Sequence, residues 1–326
     1  MEYGVMSNKI DVVGLGEILV QFNAVTPGPL RHVTYFEKHA AGAEANVTVC
    51  VKRQGLSSGF VTKLGNDEFG KFLYNWLRGE GVDVSQIKFD PEASTGIYFI
   101  QRGFPVPRRS SVIYYRKGSA ASRISEHDID PEYFSRARVL HLTGITPALS
   151  DSLLKASWRA VEIAKKNNVM LSFDTNIRPA LWKSLDDASK TLIPFVEKSD
   201  VLFTDLEDSK ILIGESEVER IVKHYLSIGV EVVVLKLGAK GAIAATRSSY
   251  CEVKGYEVDV IDPIGAGDAL AGTFLSSLLK GYDIEKSLRR AIAAGTLVVT
   301  TRGDQENLPT EEEIDMFLRY YGGRQD

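Results

Sequence analysis

Cysteine is scarce. The chain of 326 residues holds two, Cys50 and Cys251, and they share no CxxC spacing. Such a pair does not make a disulfide framework, and reduced thiols in a cytoplasmic protein are expected. Histidine is scattered as well: His32, His39, His127, His141 and His224 show no ligand spacing and are read as structural or solvent-facing, so no metal site built from protein ligands is expected. An excess of charge is missing: 39 basic against 43 acidic side chains leave a net charge of -4. There is no bulk attraction to nucleic acid or an anionic membrane, and any anion site must be local. No apolar run reaches the roughly 18 residues of a membrane-spanning helix. The opening "MEYGVMSNKIDVVGLGEILV" lacks the basic region and cleavage site of a signal peptide. Internal repeats and low-complexity tracts are absent too.

What remains is an ordinary globular composition, 44% hydrophobic and 25% charged, on a chain long enough for a substantial core. Short β-branched runs alternate with longer helical patterns. "KIDVVGLGEILVQF" reads as an opening strand with a glycine-marked irregularity, and "ARVLHLTG", "NVMLSFDTN", "DVLFTD" and "VEVVVLKLG" read as buried strands. Helices are predicted over 150–167, 186–198, 206–213, 215–228, 266–280, 284–301 and 310–321. Continuous apolar strands alternating with helices imply an α/β fold, a parallel sheet covered on both faces. Such sheets bind ligands at the carboxyl ends of their strands.

Two segments break the rhythm. Residues 94–120 contain two strand-like runs joined by a Pro-, Arg- and Ser-rich turn, and residues 18–38 behave similarly. Together they predict a small antiparallel β lid over the site of a single domain, with an edge extension of the main sheet as the competing explanation.

Two nucleotide motifs fail on inspection. "GNDEFGKF" (65–72) fits GxxxxGK[ST] except at its end, where Phe72 cannot ligate magnesium. Asp67 and Glu68 would also repel phosphates, and they suit a helix N-terminus instead. Gly14-Leu15-Gly16 begins a GxGxxG fingerprint, but position 19 is Leu.

"DPIGAGDALAGTF" (262–274) is different. Asp262-Pro263 ends an extended segment. Gly265, Ala266 and Gly267 carry no bulk, so the backbone N–H groups of a starting helix can face a ligand. That is an anion hole suited to a transferring phosphoryl group. Asp268 sits in the first turn, where a capping role competes with a chemical one.

This stretch resembles the DTxGAGD signature of the ribokinase-like (PfkB) sugar kinases, with Pro263 where many members have Thr. "GLGEILVQF", "GAEANV", "LGNDEFG" and "KLGAKGA" resemble further motifs of that family, over nearly the whole chain. The resemblance implies a three-layer α/β/α fold with a β lid, and kinase activity with ATP. Magnesium would be carried mainly by the nucleotide phosphates. It makes Asp268 the catalytic base, which the helix N-terminus should keep ionised at neutral pH.

Arg116 in "YYRKGSA" and Arg178 in "DTNIRPALW" suit a carboxylate or phosphate, since each guanidinium binds two oxygens at once. For Arg116 a surface salt bridge is the competing explanation. Tyr98, Tyr114 and Tyr115 can supply hydroxyls and ring faces. For Tyr115, core packing is the better explanation if strand alternation turns it to the opposite face. "VTPGPLRHVTYFEKHAAGAEANV", "TGIYFIQRG", "YYRKGSA", "DTNIRPALW" and "TRGD" resemble the branch of the family that phosphorylates 2-keto-3-deoxygluconate. That resemblance assigns Gly42, Asn46, Tyr98, Tyr114, Arg116, Arg178, Asp268 and Asp304 to the sugar acid. It assigns Asn176, Arg178, Lys236, Gly238, Gly241, Gly265, Ala266, Gly267 and Asp268 to the nucleotide, with adenine near residues 295–300. A kinase for a neutral sugar, fructose or ribose, and a non-catalytic sugar-binding module are the alternatives. The lid's apolar strands, needing a cover, predict a homo-oligomer.

Overall fold

The opening apolar run splits into two strands belonging to different sheets. In the structure, a computed structural model that describes residues 9–106 and 110–322, β1 (Ile10–Leu15) ends at Gly16 and β2 (Leu19–Ala24) begins after a sharp exit. A Cβ at Gly16 would collide with the Glu44 carboxylate, so only glycine lets the chain leave here. Residues 1–8 of the N-terminal stretch read for a signal peptide lie outside the described residues, and so do residues 107–109 of the Arg-rich lid turn.

Next come β3 (Phe36–Ala41), α1 (Ala43–Arg53), β4 (Ser58–Gly65), α2 (Glu68–Gly79) and β5 (Ile87–Asp90), then the hairpin of β6 (Ile97–Arg102) and β7 (Ser110–Tyr115). Regular alternation follows: α3 (Pro131–Ser135), β8 (Ala137–Thr143), α4 (Asp151–Lys166), β9 (Met170–Asp174), α5 (Leu185–Lys198), β10 (Val201–Asp205), α6 (Leu206–Ile213), α7 (Val218–Ser227) and β11 (Val232–Lys236). The hairpin β12 (Gly241–Ala245) and β13 (Tyr250–Lys254) precedes α8 (Ala266–Leu279), α9 (Ile284–Val298) and α10 (Glu311–Gly322).

The main sheet has nine strands in the order β13-β12-β11-β10-β9-β8-β1-β4-β5. Pairing is parallel from β11 to β5, and only β12 and β13 pair antiparallel. One face packs Leu153, Leu192, Leu212 and Ile221 of α4–α7. The other packs Val47, Phe274 and Leu288 of α1, α8 and α9. Each such side chain contributes about 1.5–3 kcal/mol through its removal from water. This is the three-layer arrangement the alternation implies.

The second sheet has the order β3-β2-β6-β7 and contains both predicted lid segments. The expectation of an antiparallel lid needs one correction: β2 and β6 pair in parallel. Their parentage explains it. β2 continues from β1 and β6 follows β5, and both parent strands leave the main sheet at the same, carboxyl end. The predicted P-loop decoy is a helix start: Asp67 caps α2 by accepting from Gly70 N at 2.7 Å. The same carboxylate accepts from Thr95 N at 2.8 Å, pinning the root of β6 to the main body.

Candidate active site

Helix starts in this chain are mostly closed by side chains. Asp67, Ser150, Ser184, Asp205 and Asp283 accept from the first turns of α2, α4, α5, α6 and α9. α8 has no such cap: Gly265 precedes it in the left-handed region, φ 83°, and no side chain takes its first N–H groups. A Cβ at Gly265 would stand 2.6 Å from Asp304 Oδ1, and at Gly267 the nearest obstacle is Lys236 Nζ, 3.8 Å away. α1 also starts uncapped, at Gly42. Both termini face one cleft of about 550 Å³ between the lid and the carboxyl ends of β9, β10 and β11. Unpaired donors and partial positive charge make this an anion site. A more open groove of about 620 Å³ between α7 and the β12–β13 turn gathers none of the residues singled out in the sequence.

Asp268 lines the cleft from the first turn of α8. Burial pushes its carboxyl up to about 7; a hydrogen bond from Asn46 and the cations Lys236 and Arg178 hold it down, while Asp174 pushes it up. This corrects the expectation that the helix N-terminus keeps Asp268 fully ionised. Desolvation outweighs the helix end, and the group titrates near neutrality. Asn46 Nδ2 donates to Asp268 Oδ2 and to Asp304 Oδ1, each at 2.7 Å. Asp304 is buried, and burial with the neighbouring Asp268 charge holds its carboxyl well above the usual range. Tyr98 bridges to it, with a hydroxyl 3.3 Å from Asp304 Oδ2.

Among the residues the sequence assigns to the nucleotide, Lys236 at the end of β11 donates to both Asp174 oxygens at 2.8 and 2.7 Å. Its burial opposes the charge, but Asp174 more than compensates and holds the ammonium above its ordinary range. The loop after β9 is fixed by Asp208, which accepts from Thr175 Oγ1 at 2.6 Å and Ile177 N at 3.1 Å. Asn176, at φ 34°, turns that loop into the cleft, and Arg178 lines the cleft from its end. Gly238 lines the cleft as well, but Gly241 packs its Cα face against Val253 O. Ala266 is the first residue of α8, and the 295–300 segment packs behind it, with Gly295 close to Ala266 O.

Among the residues the sequence assigns to the sugar acid, Tyr98 and Tyr114 are register partners with ring centroids 5.3 Å apart, and Arg116 lies 5.2 Å over the Tyr114 ring. Tyr115 points the other way: it packs edge-on against Phe99 and lies outside the cleft, as strand alternation requires. Arg116 is buried, which disposes of a surface salt bridge. Its Nε donates to Glu17 Oε2 at 2.6 Å, and Ser119 donates to the same carboxylate. Sequence reasoning passed over Glu17. Its signal was a lone charge in the apolar run "VVGLGEILV", which demands a buried partner. Glu44, also missed, accepts from Thr143 and Thr146 beneath the cleft, and burial raises its pKa. Among the described residues no group of three or more His, Cys, Asp or Glu could hold a metal, and both cysteines are free.

An open anion hole, a facing ammonium and a carboxyl titrating near neutrality, beneath a lid on a three-layer α/β body, are the parts of a small-molecule kinase. Residues 9–311 match the pfkB family of carbohydrate kinases, and the chain belongs to that family. It is 48% identical to 2-dehydro-3-deoxygluconokinase of Thermoproteus tenax over 311 residues, which span 95% of this chain and 94% of that one. It is 36% identical to the enzyme of the same name from Bacillus subtilis, across 95% and 96% of the two chains. A putative ribokinase II from E. coli, solved with ATP and magnesium, superposes with a TM-score of 0.89 at 29% identity, covering 95% of this chain and 99% of that one.

Proposed function

We propose that this carbohydrate kinase transfers a phosphoryl group from magnesium-ATP to the terminal hydroxyl of 2-dehydro-3-deoxygluconate (2-keto-3-deoxygluconate), giving the 6-phosphate. The observation that carries the reading is the gathering of Arg116, Arg178 and Asp268 in one cleft. The names of the relatives from T. tenax and B. subtilis support the same acceptor.

In this reading Asp268 accepts the proton of the attacking hydroxyl. A base titrating near 7 is ionised in part at neutral pH and can accept a proton there. The N–H groups at Gly265, Ala266 and Gly267 hold the transferring oxygens, and Lys236 turns from Asp174 toward the phosphates. ATP supplies the phosphoryl group, and magnesium offsets the charge of the phosphates that carry it. Asn176 and Gly238 shape the nucleotide side. Gly42, Asn46, Tyr98 and Tyr114 shape the acceptor side, and Asp304, whose carboxyl burial holds well above the usual range, faces an acceptor hydroxyl. The galactonate epimer is a second acceptor in this reading. The Arg116–Glu17 pair is the observation that favours a neutral acceptor such as fructose or ribose, because Glu17 already meets the Arg116 charge.

The protein acts in the cytoplasm in this reading; among the described residues no helix is long and apolar enough to cross a membrane. β7 is a free edge with Val112, Ile113, Tyr114 and Tyr115 all exposed, so the lid pairs with a second lid in a homo-oligomer. Titration calorimetry on Asp268→Asn tests acceptor choice without turnover. Binding of 2-dehydro-3-deoxygluconate with fructose and ribose excluded supports the reading; preference for a neutral sugar refutes it.

A further inference from the structure

Asn46 stands between two carboxylates, so the direction of its amide decides what they meet. Both protons of its NH2 group are used, one on Asp268 Oδ2 and one on Asp304 Oδ1. Turned over, the amide would aim its oxygen at both acids, and neither could ionise without repulsion. Something must fix the direction, and the other end of the amide shows what does. Asn46 Oδ1 accepts from Gln305 Nε2 at 2.9 Å. Gln305 is itself an amide that can turn over, but its Oε1 accepts from Trp76 Nε1 at 2.7 Å. An indole N–H donates and never accepts. Trp76 therefore sets the sense of Gln305, Gln305 sets the sense of Asn46, and Asn46 offers only protons to the two aspartates. Gln305 and Asn46 are both buried, so no water competes for these positions.

We propose that Gln305, oriented by Trp76 of α2, is a positioning residue for the phosphoryl-transfer site: it locks the Asn46 amide so that Asp268 is held as an aimed, ionisable acceptor. The inference rests on the reading of Asp268 as the base. Gln305 touches neither the cleft nor Asp268 and acts only through Asn46.

Other charges around the chain are accounted for. Asp268 faces Asp304, Asp174 on β9, Lys236 on β11, Arg178 and, from α1, the Cys50 thiol. Gln305 has Asp304 and Glu306 as chain neighbours. Arg53, itself paired with Glu80, donates to the Gln305 carbonyl at 2.8 Å, and His39 pairs with Glu306. None of these takes the place of the Gln305 side chain toward Asn46.

The test is the pH profile of kcat for Gln305→Glu and Gln305→Met. A glutamic acid has the shape of glutamine, and its protonated form still donates to Asn46 Oδ1. Gln305→Glu is expected to match the wild type within about threefold at low pH. It then gains a descending limb, about tenfold or more, as the new carboxyl ionises and its donor disappears. Gln305→Met lacks the donor at every pH. Its acid limb is expected to move up by about one unit, costing about tenfold in kcat below neutrality. A residue that only filled space would lower Tm and leave both profiles parallel to the wild type. Parallel profiles in folded Gln305→Glu through pH 9 would overturn the proposal. Asp268→Asn, run alongside, separates the two claims. If it turns over normally, the base assignment itself fails; if it is inactive while Gln305→Glu parallels the wild type, only the relay fails.

Discussion

Acidity is where Asp268 makes its position measurable. Its carboxyl moves from 3.8 to about 7, chiefly through burial. A base with that acidity is about one-tenth ionised at pH 6, so kcat/KM, which reports the free enzyme, should fall about tenfold from its alkaline plateau by pH 6. An ordinary carboxylate would leave the rate flat to about pH 5. The same shift acts on stability. The folded pKa lies above the unfolded one, so the contribution of Asp268 is fully present below about pH 4 and is lost as pH rises through 7. Three units set a ceiling of about 4 kcal/mol, and partial contact of Asp268 with the cleft water brings it to about 1–2 kcal/mol. Asp268→Asn should therefore abolish turnover and raise Tm by several degrees at pH 8, with little change at pH 4. Rate profiles and thermal melts at both pH values check this. A rate flat to pH 5, or an unchanged melting point at pH 8, would refute the reasoning.

Further outcomes concern the surroundings. Gly265→Ala forces a side chain into φ 83° and against Asp304, which should cost about 1–3 kcal/mol in denaturant melts and lower kcat with it. Arg116→Ala strands Glu17 in the interior and should destabilise by about 3–5 kcal/mol. The double variant Glu17→Gln/Arg116→Met avoids that stranded charge and should keep the fold, while KM for the sugar acid rises at least about tenfold. Light scattering of the wild type should report more than one copy, and a charged pair, Ile113→Lys/Tyr115→Glu, should shift it to monomer without changing KM.

The alternating core was legible because buried parallel strands write themselves as unbroken β-branched runs: "DVLFTD" and "VEVVVLKLG" became β10 and β11 where expected. The helix 206–213 was legible because Asp205 announces its start and Gly214, at φ 70°, its end. The exchange between sheets at Gly16–Ile18 was legible in part: residues 18–38 fell to the lid, but "KIDVVGLGEILVQF" still read as one strand with an irregularity, since nothing local separates that from two strands. At the site, the small-residue turn 265–267 was readable from chemistry alone, because a proline followed by two glycines marks a helix start whose N–H groups a ligand can reach. The acidity of Asp268 was not, because burial sets it against the Asn46 hydrogen bond and alongside the Asp174 charge, and both residues are distant in sequence. Gln305 left no mark at all: an amide in "RGDQENLP" reads as a solvated loop until the fold brings Trp76 to it.

One measurement bears most directly on the proposed activity: initial-rate ADP release with magnesium-ATP, using 2-dehydro-3-deoxygluconate, its galactonate epimer, gluconate, fructose, ribose and adenosine as acceptors. Rates confined to the two keto-deoxy acids are the predicted result. A preference for a neutral sugar would contradict the acid-binding roles of Arg116 and Arg178, and no turnover with any acceptor would contradict the kinase reading of the cleft.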